Sequence, residues 1–174
     1  MEEFNPQIFD SDLPEVESLS FQKLEKDYLM VLLIAAAIRS TILITVLLLA
    51  YIMVPYDVPD GLFKFIGIWF FLYLIWTFIK TIKGFYCKEY ALREKDIVYK
   101  TGWLWKSMTT TPFNRVQHIT IEHGLIERQF KLARLKVFTA GGSSSDLTIP
   151  GIRPETANKL KEFIVKKTQS DEEE

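Results

Sequence analysis

Few residues in this sequence have the types and spacing that catalysis or metal binding needs. His118 and His123 are the only two histidines, and Glu122 stands beside the second. Such a trio could serve a zinc ion or a hydrolytic acid–base pair. Their spacing argues against it. Five residues apart on an extended strand, the histidines point to opposite faces, and the adjacent Glu122 and His123 diverge as well. Only a bulge would bring them together. A membrane-associated hydrolase or metal site around His118, Glu122 and His123 is therefore kept as the alternative function. The leading reading is not an enzyme: no catalytic residue, no metal ligand and no cofactor is assigned.

The other chemistry-bearing features have plainer readings. Cys87, the single cysteine, cannot form an internal disulfide. Beside Lys83 and Lys88 it could be lipidated or oxidised, but a small apolar residue accounts for it. Gly141-Gly-Ser-Ser-Ser could cradle a phosphate on its backbone N–H groups. It lacks the Lys-Ser/Thr ending of a P-loop and opens no clear helix, so it reads as a hairpin turn. Trp103 and Trp105 stand among lysines, a pattern that can stack nucleobases. A strand burying one face explains same-side tryptophans better, and no nucleic acid is expected. What remains is charge. Lys88, Lys95, Lys100 and Lys106 surround the first expected strands and are the candidate lipid- or partner-binding residues.

The elements that position these residues follow from an uneven chain. Its 174 residues suffice for one domain plus decoration. The net charge of −1 conceals four blocks: −6 over residues 1–28, 0 over 29–79, +9 over 80–168 and −4 over 169–174. This pattern excludes a uniform soluble globule, a disordered chain and a disulfide-rich secreted scaffold. A basic body beside an apolar block suits anionic lipid headgroups or an acidic protein segment.

Two apolar runs, Leu29 to Val54 and Leu62 to Ile79, are each long enough to cross a bilayer, which takes roughly 20 helical residues. Placing the spans at about 40–56 and 62–80 leaves Arg39, Lys80 and Lys83 at a membrane interface, where long cationic side chains reach headgroups. The helix carrying Arg39 is expected to begin before Leu29. Pro55, Pro59 and Gly61 mark a short turn holding Asp57 and Asp60, whereas Lys23, Lys26, Lys80, Lys83 and Lys88 lie at the other ends. Both termini are then cytoplasmic. A small-residue cleavage pattern does not follow the first run, so a cleaved signal peptide is not expected.

Beyond Tyr86 the period shortens to two. Ile97, Tyr99, Thr101, Trp103 and Trp105 fall on one face, with Lys100 and Lys106 on the other and a bend at Gly102. Val116 to His123, Leu135 to Thr139 and Asp146 to Ile149 read as further strands, with a helical turn in Gly124 to Phe130. Pro154 opens an amphipathic helix of about 14 residues, in which Ala157, Leu160, Phe163, Ile164 and Lys167 recur at three and four. Short strands closed by one helix describe an α+β domain. Residues 1–20 and 169–174 are expected to be poorly ordered.

The order of these features resembles the bacterial pleckstrin-homology-like membrane proteins of the YdbS type. The likeness is carried by Tyr90-Ala-Leu, Gly102-Trp-Leu, Pro112-Phe-Asn-Arg-Val-Gln-His-Ile, Gly124-Leu-Ile-Glu-Arg, and Phe138-Thr-Ala-Gly ahead of Pro150-Gly-Ile, behind a pair of apolar spans. It covers about residues 30–165. One departure is Phe130-Lys131-Leu132, where the family often has Phe-Gly-Leu. The resemblance implies a two-helix transmembrane hairpin followed by a pleckstrin-homology-like domain: a seven-stranded, bent β-sandwich or open barrel capped by a C-terminal helix. It implies a membrane-tethered module without established catalytic activity, and a related membrane protein as partner.

These readings divide the chain into an acidic N-terminal segment (1–28), a transmembrane hairpin (29–83), a cytoplasmic domain (84–168) and an acidic tail (169–174). The expected function is a membrane-anchored, non-enzymatic interaction module of a bacterial inner membrane. It would dock anionic lipid or a partner membrane protein, in the setting of envelope stress or transport complexes. No small-molecule substrate is identified.

Overall fold

The computed structural model describes residues 20–53, 60–140 and 147–172. The expected membrane turn, the Gly141–Asp146 segment and the first 19 residues lie outside them. A two-residue strand β1 (Gln22–Lys23) leads into two long helices, α1 (Asp27–Met53) and α2 (Asp60–Tyr86). Seven strands are present among the described residues: after β1 come β2 (Glu89–Leu92), β3 (Asp96–Thr101), β4 (Ser107–Pro112), β5 (Val116–Glu122), β6 (Ala133–Thr139) and β7 (Leu147–Ile152). A short helix α3 (Leu125–Gln129) joins β5 to β6, and α4 (Pro154–Glu172) closes the fold.

All pairings are antiparallel, in two sheets ordered β1-β2-β3-β4 and β5-β6-β7. The sheets do not close into a barrel. The core between them is apolar: Ile97, Phe113, Leu135, Val137 and Ile149 have no exposed surface. Helix α4 covers one end, and Ala157, Leu160 and Ile164, spaced by three and four, turn inward. Phe163 meets Phe113 edge-on at 6.1 Å. The α4 helix is longer than its apolar face suggests and runs to Glu172, so part of the tail expected to be poorly ordered is helical.

The hairpin is not merely attached to this body. Leu24, Tyr28, Val31 and Phe85 belong to the same core cluster as Ile152 and Leu135. Strand β1 pairs with β2, and the Glu25 N–H donates to the Gly151 carbonyl at 3.0 Å. Gly151 is needed there. Its φ is +65°, and a Cβ would lie 2.2 Å from Cγ of Tyr28. Beyond this root the helices are long and apolar enough to cross a membrane: only 11% of an 18-residue window of α1, and 0% in α2, is buried.

The bend expected at Gly102 within the run from Ile97 to Trp105 is present, and it is sharp enough to end strand β3. The strand ends at Thr101, because Gly102 takes φ +96° and turns the chain back; a Cβ there would lie 1.8 Å from the Trp105 carbonyl oxygen. Strand alternation stops at that turn. Trp103 and Trp105 are therefore not a buried strand face: Trp105 is 85% exposed and Trp103 half-buried. Lys100 and Lys106 do not share one strand either, since Lys106 lies in the turn before β4.

Candidate functional site

The β3–β4 turn and the root of the hairpin enclose a groove of about 850 Å³. From α1 it takes Leu32, Ala35, Ile38 and Arg39; from α2, Tyr73, Trp76, Lys80 and Gly84. The turn contributes Gly102, Trp103, Leu104 and Trp105; Lys88, just after α2, and Ile126 of α3 also line it. The sequence explains this wall. The Gly102 turn folds Trp103 back against α2, where its ring centre is 6.1 Å from that of Trp76. Lys83 Nζ lies 4.8 Å from the Trp103 ring centre, a cation over an aromatic face.

The groove's electrostatics are one-sided. Arg39, Lys80 and Lys88 line it, and no aspartate or glutamate does. Among the described residues none of these three cations is in a salt bridge. Lys88 is the deepest of them: it is half-buried with its Nζ 5.4 Å from the Tyr28 ring centre, and burial holds its ammonium below the usual lysine range. Such a site gains from an anionic group that replaces the lost hydration, while the indoles and Ile38 offer apolar contact. The size and mixture suit a phosphate with the first part of a hydrocarbon chain.

Sequence reasoning named Lys88, Arg39 and Lys80 for separate roles; they share this groove. Lys83 lies at its edge on Trp103. Lys100 extends over Phe21, 5.3 Å from its ring centre. The register pairs Glu89 with Lys100 and Thr101 with Ser107, so Lys88, Lys100 and Lys106 lie at one end of the sheet. Lys95 does not join them. It sits in the β2–β3 turn at the other end, roughly 15 Å away at about 3.4 Å per residue. The four lysines proposed from sequence therefore form no single site. The missed residues are Trp76 and Trp103, whose one signal was the glycine at 102.

The histidine trio does not converge. His118 stacks on Phe138 with ring centres 4.2 Å apart. His123 lies beyond the end of β5, and its Nδ1 is 3.0 Å from the Leu132 carbonyl oxygen. Glu122 accepts a hydrogen bond from Lys136 Nζ at 2.8 Å. The bulge in β5 falls between Val116 and His118, too early to bring His118 and His123 together. No group of three or more metal-ligating side chains occurs among the described residues. Cys87 is half-buried between α2 and β2.

Residues 27–168 match the model of a family described as "Bacterial PH domain". No curated protein matches the chain. A solved structure similar to part of it is a DUF1696 family protein with a pleckstrin-homology domain from Shewanella loihica PV-4. That likeness covers 47% of this chain and 70% of the other, at 13% identity and a TM-score of 0.38.

Proposed function

Because the chain belongs to the bacterial PH-domain family, we propose that it is a membrane-anchored, non-enzymatic interaction module that holds anionic lipid headgroups at the root of its hairpin. The observation that carries this reading is the groove lined by Arg39, Lys80 and Lys88 and by no carboxylate. Helices α1 and α2 cross the membrane as a multi-pass anchor, with Asp57 and Asp60 outside and the lysine-rich ends inside. Both termini and the PH-like body are then cytoplasmic. The groove lies where the cytoplasmic leaflet presents its phosphates. Each cation near that surface contributes about 1 kcal/mol toward anionic lipid.

The test uses the full chain in neutral detergent, titrated with short-chain phosphatidylglycerol or phosphatidylcholine and followed by tryptophan emission. Three cations at about 1 kcal/mol each give phosphatidylglycerol a preference of roughly a hundredfold at low salt. Added salt and the triple change Arg39→Gln, Lys80→Gln, Lys88→Gln should both abolish it. Equal affinity for the two lipids would sink the lipid reading.

A second reading places a related membrane protein against the hairpin, within an envelope-stress or transport complex. It draws on α2, whose 18-residue apolar window has no buried residue and so leaves a full face for lipid or another helix. Capture of one defined membrane protein by the full chain, lost when Ile68, Phe71 and Ile75 are replaced by alanine but not with the groove triple variant, would support it.

A further inference from the structure

The β3–β4 turn carries more apolar surface than the groove needs. Leu104 is 53% exposed and Trp105 85%, and Met108 at the start of β4 is 48% exposed. Their depth along the hairpin can be read from α2. The Trp103 ring spans Trp76 and Lys83, which at 1.5 Å per residue are about 10 Å apart along the helix. The turn is therefore level with Lys80. Leu104 and Trp105, the next residues of the turn, line the same groove between α1 and α2. The charge-free part of α2, Phe65 to Ile79, is about 22 Å long, short of the roughly 30 Å hydrocarbon core. A bilayer around the hairpin must then reach the level of Lys80, where the turn lies.

We infer that the Leu104–Trp105 tip is seated in the headgroup–acyl boundary of the same leaflet, as a third membrane contact beside α1 and α2. The occupant of this exposed apolar surface is phospholipid, because the surface is continuous with the apolar faces of the two helices and lies at their interfacial level. Tryptophan favours that boundary, where its ring is apolar and its N–H finds a polar partner. The exposed Lys106 next to it reaches phosphate. The tight Gly102 turn and the Trp103–Trp76 contact hold the tip rigidly to α2. The consequence is functional: the body cannot swing freely on its tether, and the groove opens sideways into the leaflet, so a lipid enters from the bilayer and not from water.

This inference rests on the membrane reading above, and its test separates the two. Cys87 is the single cysteine, so Cys87→Ser frees the full chain for site-specific labelling. An environment-sensitive fluorophore is placed at Leu104→Cys, with Trp105→Cys as a second variant, in phosphatidylcholine vesicles. Controls carry it at Phe71→Cys in mid-helix, read with lipids spin-labelled near the end of the acyl chain, and at the exposed Lys159→Cys on α4. The expected result is blue-shifted emission at 104 and 105, quenched by lipids spin-labelled near the glycerol backbone and shielded from aqueous iodide. Quenching at 71 with iodide-accessible, red emission at both 104 and 105 would overturn the seated tip and leave the membrane anchor standing. No lipid quenching at 71 either would overturn both. The neutral lipid makes the result independent of any anionic preference in the groove.

Discussion

Glu127 accepts two hydrogen bonds from one guanidinium, Arg134 Nε at 3.0 Å and Nη2 at 2.8 Å. Its carboxylate is 2% exposed and also accepts from the Gly124 N–H at 2.9 Å, so it caps α3 and ties it to β6. The hydrogen bond to Glu127 keeps the Arg134 guanidinium protonated beyond its ordinary range.

The pair is asymmetric, which gives a prediction. Arg134→Met strands a buried carboxylate and should cost about 3–5 kcal/mol. Glu127→Gln keeps the shape and an acceptor for Gly124, leaves the partly exposed Arg134 to water, and should cost about 1–2 kcal/mol. Denaturant unfolding of the full chain in neutral detergent measures both. The reverse order would show that the pair's charge is not what holds α3.

Tyr99 makes stability depend on alkaline pH. Burial pushes its phenol up from 10.0 to about 12, the nearby Tyr28 adds to the rise, and a hydrogen bond with Thr101 opposes it. The folded state holds the proton more tightly than the unfolded one. The contribution is therefore whole below pH 10 and is lost between pH 10 and about 12, at most about 2–3 kcal/mol. Tyr99→Phe should flatten that part of the pH–stability curve. A variant that falls as steeply as the native chain would assign the loss to other groups.

Much of the fold is legible in the sequence because its signals are local. The long apolar runs, the inward spacing of Ala157, Leu160 and Ile164, and the alternation around Ile119 and Ile121 each depend on neighbours in the chain. Strand β1 is two residues long and shows no alternation; only its pairing with Tyr90 and Glu89 defines it. The groove was hidden for a related reason. Arg39, Lys80, Lys88 and Trp103 come together through the hairpin's root and the Gly102 turn, and period-two counting across that turn put Trp103 into the core. Lysine spacing grouped Lys95 with Lys88, though a four-pair strand register separates them.

Lys131 takes the left-handed conformation that glycine suits, φ +53°. The reason is the end of α3. The Leu132 N–H donates to the Glu127 carbonyl at 2.9 Å and the Lys131 N–H to the Arg128 carbonyl at 3.2 Å, a Schellman closure that requires a left-handed residue at 131. A lysine there costs about 1–2 kcal/mol, and glycine's extra freedom in the unfolded chain returns about half of any relief. Lys131→Gly should therefore stabilise the protein by up to about 1 kcal/mol, read as a higher denaturation midpoint with an unchanged slope. Lower stability would mean that the lysine side chain contributes more than its backbone costs.

Gly151 offers the opposite case and tests how the hairpin is fixed to the body. Its φ of +65° already disfavours a side chain, and an added Cβ would meet Tyr28 at 2.2 Å from Cγ and 2.6 Å from Cβ. Tyr28 is 7% exposed and belongs to the core that joins α1 to β7, so it has little room to retreat. Gly151→Ala should cost about 2–4 kcal/mol from backbone strain and overpacking together. The damage should centre on the junction. Hydrogen exchange should rise first at the Glu25 amide, whose acceptor is the Gly151 carbonyl, while β3 and β6 amides keep their protection. A uniform rise across both sheets would show instead that hairpin root and body unfold as one unit.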